Sequence, residues 1–208
     1  ITQAKWLRFT KYEYTKNANA LLNNAVAKLG LPIFVKPANT GSSVGVSKAK
    51  TAQELVTAVE LAFNFDKKVV LEEAVDGMEV ECAVLGNDET LASVPGEVVP
   101  CHEFYDYDAK YITGTSQLYI PARLTEEKLK EVQNRAAEVY KALDCRGLAR
   151  VDFFVRKNDG AVLLNEVNTI PGFTSISMYP KMFEASGIPY PELLDRLIQL
   201  AFLANENS

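Results

Sequence analysis

Residues 149–168 read Ala-Arg-Val-Asp-Phe-Phe-Val-Arg-Lys-Asn-Asp-Gly-Ala-Val-Leu-Leu-Asn-Glu-Val-Asn. Asn158-Asp159-Gly160 separates two runs rich in β-branched and aromatic residues, which is a hairpin signal. A three-residue loop with glycine in the left-handed position makes Lys157 and Ala161 the first pair. Counting outward, Phe154 faces Leu164, Asp152 faces Glu166 and Arg150 faces Asn168. These residues share one face because side chains alternate along a strand. Two carboxylates directly opposed are destabilising on a plain sheet. A hard divalent cation with oxygen ligands resolves that conflict, and Asn168 adds a carbonyl to the set. Arg150 lies beside the same site.

The surrounding composition supports a folded chain. It has 208 residues, 48% of them hydrophobic, enough for a sizeable core in one or two lobes. The formal net charge of −5 and the absence of any Lys/Arg run argue against nucleic-acid binding. No apolar run approaches the roughly 18 residues of a membrane span. Cys82, Cys101 and Cys145 are odd in number and widely spaced, so they read as free thiols in a reducing cytoplasm. His102 is the only histidine, which argues against a His-dependent triad and against His-ligated metals. The chain begins at Ile1 without a targeting pattern and reads as a piece of a longer protein.

In chain order, Trp6–Phe9 reads as a strand and Asn17–Leu29 as a helix closed by Gly30. Leu31–Lys36 is a strand cut by Pro37. The loop 38–45 leads into a second strand at Val46–Ala49. Thr51 to Glu54 forms a capping box that opens a helix to about Phe65. Lys68–Glu72 is a strand. Gly77–Leu85 and Thr90–Val94 pair about a turn at 86–88, and Gly96–Pro100 is another strand. The stretch 102–117 shows no sustained period and has the length of a functional lid. Leu118–Ala122 reads as a strand. Thr125 caps a helix to Leu143 with apolar positions Leu129, Val132, Ala136, Val139 and Leu143. After the hairpin come a loop at 169–177 and two helices. Strands and helices without regular βαβ units give an α+β fold, divided into a small lobe at 1–74 and a large lobe at 75–208.

Several stretches carry candidate chemistry. Gly41-Ser42-Ser43-Val44-Gly45 offers backbone N–H and hydroxyl donors suited to phosphate oxygens, with Lys36 ending the preceding strand. It is not a P-loop, because no Gly-Lys-Ser/Thr follows and a strand comes next. Glu72-Glu73-Ala74-Val75 ends a strand whose edge backbone groups could hydrogen-bond an adenine, with a carboxylate accepting from its exocyclic amine, and Glu79 could accept from ribose hydroxyls. Lys110 and Tyr111 are candidates to point inward from the lid. Ser177 is an N-cap candidate ahead of Pro180, where free N–H groups suit a carboxylate.

The motifs VKPANTGSSVG (35–45), FYDYDAKY (104–111), GLARVDFF (147–154) and NEVNTIPGFTSIS (165–177) together resemble the D-alanine–D-alanine ligases of the ATP-grasp superfamily. The resemblance covers about residues 31 to 190 and matches the C-terminal two-thirds of such a ligase. It implies two lobes with antiparallel sheets flanked by helices, and ATP lying between the lobes. By residue-wise match, Lys36, Ser42, Ser43 and Lys110 would hold phosphates, Glu72, Ala74 and Val75 the adenine, and Glu79 the ribose. Asp152, Glu166 and Asn168 would bind two magnesium ions, with manganese as a substitute. Arg150 and the Gly172 N–H would face the reacting carbonyl. Ser177 and the Met178 N–H would hold the second substrate's carboxylate. The resemblance implies ligation of two D-alanines for peptidoglycan precursors, in a homodimeric full-length protein. Tyr111 and the intact lid sequence favour D-alanine over D-lactate as the second substrate. The family's N-terminal domain, with the first D-alanine's site, is absent, so this stretch alone is expected to be inactive or very weak. Glu73 stands where some relatives carry Lys.

Overall fold

The computed structural model describes residues 1–99 and 117–206. The expected lid, including Lys110 and Tyr111, therefore lies outside the described residues apart from Gln117. Two units are present. One is formed by Ala4–Val75, the other by Ile1–Gln3, Asp76–Val99 and the chain from Gln117 onward.

The first unit is a four-stranded antiparallel sheet with two helices. Its strands are β1 (Trp6–Thr10), β2 (Ile33–Pro37), β3 (Ser47–Ala49) and β4 (Lys68–Glu73), in the order β1-β4-β2-β3. Helices α1 (Lys11–Leu29) and α2 (Ala52–Ala62) supply Leu22, Ala25, Leu55 and Val59 to a core shared with Ile33, Val35, Val69 and Leu71. Period-two alternation then puts Phe34, Lys36, Val70 and Glu72 on the opposite face. The start of α1 differs from the sequence reading. Thr10 caps it, with Glu13 completing a capping box, and the helix kinks at Asn17, where φ is −147°. Asn17 thus begins only the second segment. At α2, Thr51 Oγ1 accepts from Glu54 N–H at 3.2 Å, but the Glu54 carboxylate takes Lys50 N–H instead of closing the box.

The second unit is a six-stranded sheet of β5 (Gly77–Gly86), β6 (Thr90–Ala92), β7 (Gly96–Val99), β8 (Gln117–Tyr119), β9 (Gly147–Arg156) and β10 (Val162–Asn168). Their order is β10-β9-β5-β7-β8, with β6 pairing β5. Helix α3 (Glu126–Ala142) lays Val132, Ala136, Val139 and Tyr140 against Val80, Cys82 and Val84 of β5 and Val151, Phe153 and Val155 of β9. Leu143, expected on that apolar stripe, is 58% exposed. The helix ends there, and Tyr140 fills the core instead, its hydroxyl donating to Gly86 O at 2.7 Å. Helices α4 (Met178–Ala185) and α5 (Tyr190–Glu206) close the chain. The Tyr179 hydroxyl donates to Val84 O at 2.9 Å, and a Cβ on Gly96 would come within 2.3 Å of Met178 Cε. Glycine at 96 lets α4 settle on the sheet face that carries Glu81, the residue opposite Gly96.

The hairpin register holds where it matters and differs near the turn. Glu166 pairs with Asp152 and Asn168 with Arg150, but Leu164 pairs with Phe153 rather than Phe154. Arg156 N–H donates to Ala161 O at 3.0 Å, so four residues rather than three form the loop. Gly160 is left-handed, with φ 67°. A β-bulge between Leu164 and Glu166 absorbs the extra residue and restores the pairing.

Candidate active site

The second unit carries a row of carboxylates across three strands. Glu166 on β10 lies opposite Asp152 on β9, and Asp152 opposite Glu81 on β5. Helix α3 covers the apolar face, so alternation leaves these residues, with Arg150 and Asn168, on the other one. Arg150 answers the negative charge. Its Nε donates to Asp152 Oδ1 at 2.7 Å and its Nη2 to Oδ2 at 2.6 Å, a fork-to-fork pair. Its Nε also lies 3.2 Å from Glu81 Oε2. Burial works against the charged guanidinium, but the bonds to Asp152 and the charges of Asp152, Glu81 and Glu166 outweigh it and push its pKa up. Asn168 Nδ2 donates to Asp152 Oδ2 at 3.0 Å and to Glu166 Oε1 at 3.3 Å.

This donor set fits a hard cation. Asp152 and Glu166 supply carboxylate oxygens, and a half-turn of the Asn168 amide brings its Oδ1 where the Nδ2 now donates. Among the described residues no three His, Cys, Asp or Glu side chains converge as a complete cage. Magnesium needs none, since it is commonly held by one or two carboxylates together with substrate phosphates.

Glu81 escaped the sequence reading, which singled out only Glu79 on β5. The alternation Glu79-Val80-Glu81 was a signal, because it puts both carboxylates on one face. The β5–β9 register that brings Glu81 to Asp152 joins strands far apart in sequence.

After the hairpin, Gly172 and Ser177 come together, since a Cβ on Gly172 would lie 2.8 Å from Ser177 Oγ. Ser177 is the N-cap residue of α4, but its side chain does not cap the helix. Its Oγ accepts from Thr174 N–H at 3.0 Å and contacts Thr174 Oγ1 at 2.9 Å. The Thr174–Ser177 turn draws the hydroxyl back and leaves the first-turn N–H groups without that side-chain cap.

In the first unit, Lys36 Nζ lies 2.5 Å from Glu72 Oε2, on the helix-free face. Lys36 stands opposite Val70, and Glu72 opposite Phe34, so the pair is diagonal across β2 and β4. Ser42, Ser43 and Gly45 are left-handed, with φ of 51°, 61° and 75°. The two serines carry a cost of about 1–2 kcal/mol each, of the kind that collects at ligand loops. Asn39 N–H and Nδ2 donate to Asp66 Oδ2 at 2.7 and 2.6 Å and tie down the base of this loop. The Ala74 backbone is expected at an adenine, and its N–H already donates to Pro32 O at 3.2 Å. Its carbonyl remains the group to consider. Glu73 accepts from Lys5 N–H at 2.8 Å and so anchors the approach to β1. Glu79 pairs with Phe154 and Val98 in the second unit's sheet.

Comparison with known proteins identifies the family. The family described as "D-ala D-ala ligase C-terminus" matches residues 1–199. The D-alanine–D-alanine ligase of Acetivibrio thermocellus is 55% identical over 201 residues, covering 97% of this chain and 54% of the relative. That of Caldicellulosiruptor bescii is 52% identical over 205 residues, covering 99% and 56%. Among solved structures, the VanG D-Ala:D-Ser ligase from Enterococcus faecalis superposes with a TM-score of 0.85 at 42% identity, over 96% of this chain and 57% of that one. The D-alanine-D-alanine ligase from Coxiella burnetii gives 0.84 at 38%, over 100% and 54%. The chain spans about half the length of the relatives it matches. The shared α+β architecture is the ATP-grasp fold expected from the sequence. The chain belongs to the family of D-alanine–D-alanine ligase C-terminal portions.

Proposed function

We propose that this chain is the ATP-binding and ligating portion of a cytoplasmic D-alanine–D-alanine ligase, an enzyme that supplies a peptidoglycan precursor and works as a homodimer at full length. The observation that carries the reading is the row of Asp152, Glu166, Asn168 and Arg150 on one sheet face. A bare surface hairpin has no reason to oppose two acids beside a half-buried, paired guanidinium.

A carboxylate is a poor electrophile. In the proposed reaction one D-alanine carboxylate oxygen attacks the γ-phosphorus of ATP, ADP leaves, and a D-alanyl phosphate forms. The amine of the second D-alanine attacks the acyl carbon, loses a proton, and phosphate departs with its electron pair. Lys36, Ser42 and Ser43 bind the phosphates, with Lys110 joining from the lid sequence. Glu72 and the backbone at Ala74 and Val75 take the adenine, and Glu79 takes the ribose. Asp152, Glu166 and Asn168 would hold two magnesium ions, which would supply positive charge against that spread over oxygen in phosphoryl transfer. Arg150 and the Gly172 N–H stabilise the tetrahedral oxyanion, an effect of about 3–4 kcal/mol per donor. Ser177 and the Met178 N–H hold the incoming carboxylate. Tyr111 and the FYDYDAKY sequence favour D-alanine at the second position.

The test is to supply the full-length protein with ATP and D-alanine, alone or with D-serine or D-lactate, and identify products by mass. D-alanyl-D-alanine with stoichiometric ADP is expected. Exclusive formation of a mixed product would replace the substrate assignment, and ATP binding without any product would replace the enzyme by a nucleotide-binding module.

A further inference from the structure

Arg150 lies opposite Ala83 on β5, whose methyl group offers it no acceptor. The nearest anion on that strand is Glu81, two residues along, with Oε2 3.2 Å from Arg150 Nε. The guanidinium is thus flanked by carboxylates on adjacent strands. Asp152 accepts from Nε and Nη2, Glu81 Oε2 flanks Nε as a charge contact without accepting its hydrogen bond, and none of these contacts uses Nη1. The side chains are largely withdrawn from water: 20% of Arg150, 12% of Glu81 and 11% of Asp152 is exposed. A third carboxylate beside two opposed ones adds repulsion. Its placement is explained by the cation it touches.

Asp152 has competing duties on the ligase reading. An oxygen given to a metal ion is no longer fully available to the guanidinium. Glu81 has no part in the expected ligand set, and its Oε2 stands 3.2 Å from Nε, placed to take over the Nε–H when Asp152 turns away. We infer that Glu81 is a positioning residue for Arg150, pinning the guanidinium to the sheet with Nη1 presented to the developing oxyanion. This rests on the function proposed above.

The test uses the full-length protein with Glu81→Gln and Glu81→Asp. Gln keeps the size and an acceptor oxygen but removes the charge. Expected for Glu81→Gln is a kcat for dipeptide formation lowered about 10–100-fold, part of what a lost oxyanion donor costs. The KM for ATP stays within about twofold, the melting temperature stays within about 2 °C, and Glu81→Asp recovers part of kcat. An unchanged kcat in Glu81→Gln overturns the inference. So does a fall in kcat accompanied by equal losses in ATP binding and thermal stability, which marks a structural role. A second readout is independent of turnover: solvent exchange of the Arg150 Nε–H proton, followed by NMR and assigned by its loss in Arg150→Lys. With magnesium and a non-hydrolysable ATP analogue added, exchange is expected to stay slow in the wild type and to speed up at least about tenfold in Glu81→Gln. Equal exchange in both overturns the inference. A wild type that makes no dipeptide defeats the ligase reading and leaves the proton exchange to decide Glu81's hold. An active wild type beside a fully active Glu81→Gln defeats this inference alone.

Discussion

Glu166→Gln is expected to remove function while leaving the metal-free chain as stable as before. Glu166 is exposed and directly opposite Asp152. Relieving two opposed acids returns about 0.2–1 kcal/mol. Losing the attraction of Glu166 to Arg150 takes back a similar amount for a water-facing group, so the net lies within about 0.5 kcal/mol of zero. The bond from Asn168 Nδ2, 3.3 Å long, survives because Gln still offers an acceptor oxygen. Asp152→Asn is the informative contrast. Asp152 is buried and accepts two bonds from Arg150 and one from Asn168. Asn cannot accept the arginine fork with both terminal atoms, and a loss of about 2–4 kcal/mol is expected from a largely buried pair.

Both variants should lose magnesium-dependent ligation at full length by at least about 100-fold. Stability is measured by urea denaturation in chelator, followed by far-ultraviolet circular dichroism. Fluorescence of Trp6, the only tryptophan, reports the other unit. Normal ligation by Glu166→Gln would refute the metal assignment. A metal-free loss beyond about 1.5 kcal/mol would refute the electrostatic argument, since surface changes without a structural role fall well below that.

Three further outcomes are expected. Lys36→Ala should raise the KM for ATP at full length about tenfold or more, with little change in the melting curve. An unchanged KM removes Lys36 from the phosphate site. Gly45→Ala places a Cβ 2.9 Å from Pro37 Cγ and 2.6 Å from Phe65 Cδ2 at a φ of +75°. Phe65 can swing away but Pro37 cannot, so a loss of about 1–3 kcal/mol should appear in Trp6 fluorescence, and a stability equal to wild type would contradict the loop geometry. The bonds from Arg123, at 2.8 and 2.7 Å, hold the buried Glu97 carboxyl below its ordinary 4.5. A carboxyl lowered in the folded state adds stability above its unfolded value and loses it as pH falls through the folded one. Glu97→Gln should therefore be less stable at neutral pH and lose less between pH 4.5 and the acid transition. A parallel pH profile would count against the pair.

The hairpin shows what sequence can and cannot carry. Asn158-Asp159-Gly160 located the turn, and period-two alternation put Arg150, Asp152, Glu166 and Asn168 on one face. The loop length was off by one residue, and the bulge before Glu166 compensated for it. Nothing in Leu164-Asn165-Glu166 announces a bulge, because it arises from the β9–β10 ladder rather than from local preference. Long-range pairing also hid Glu81. Leu143 misled because its spacing continues the α3 stripe one step past the point where the helix ends. The Thr10-to-Glu13 capping box is legible in the sequence and puts the helix start ahead of Asn17.

The two candidate binding faces treat their charges in the same way and with unequal force. On the first unit, Lys36 and Glu72 neutralise each other while 31% and 23% exposed. Such a half-wet pair is worth at most about 1 kcal/mol, so on the proposed function exchanging it for phosphate and adenine contacts costs little. On the second unit, Arg150 and Asp152 are drier, at 20% and 11%. Separating them without replacement is costly because charge is left in a poorly solvated place. A ligand that takes Asp152 must therefore return a positive charge to the row, as a divalent cation does. The unequal burial explains why two opposed acids can be kept on a sheet at all. Arginine satisfies the row while it waits, and only a strong cation can take its place beside Asp152.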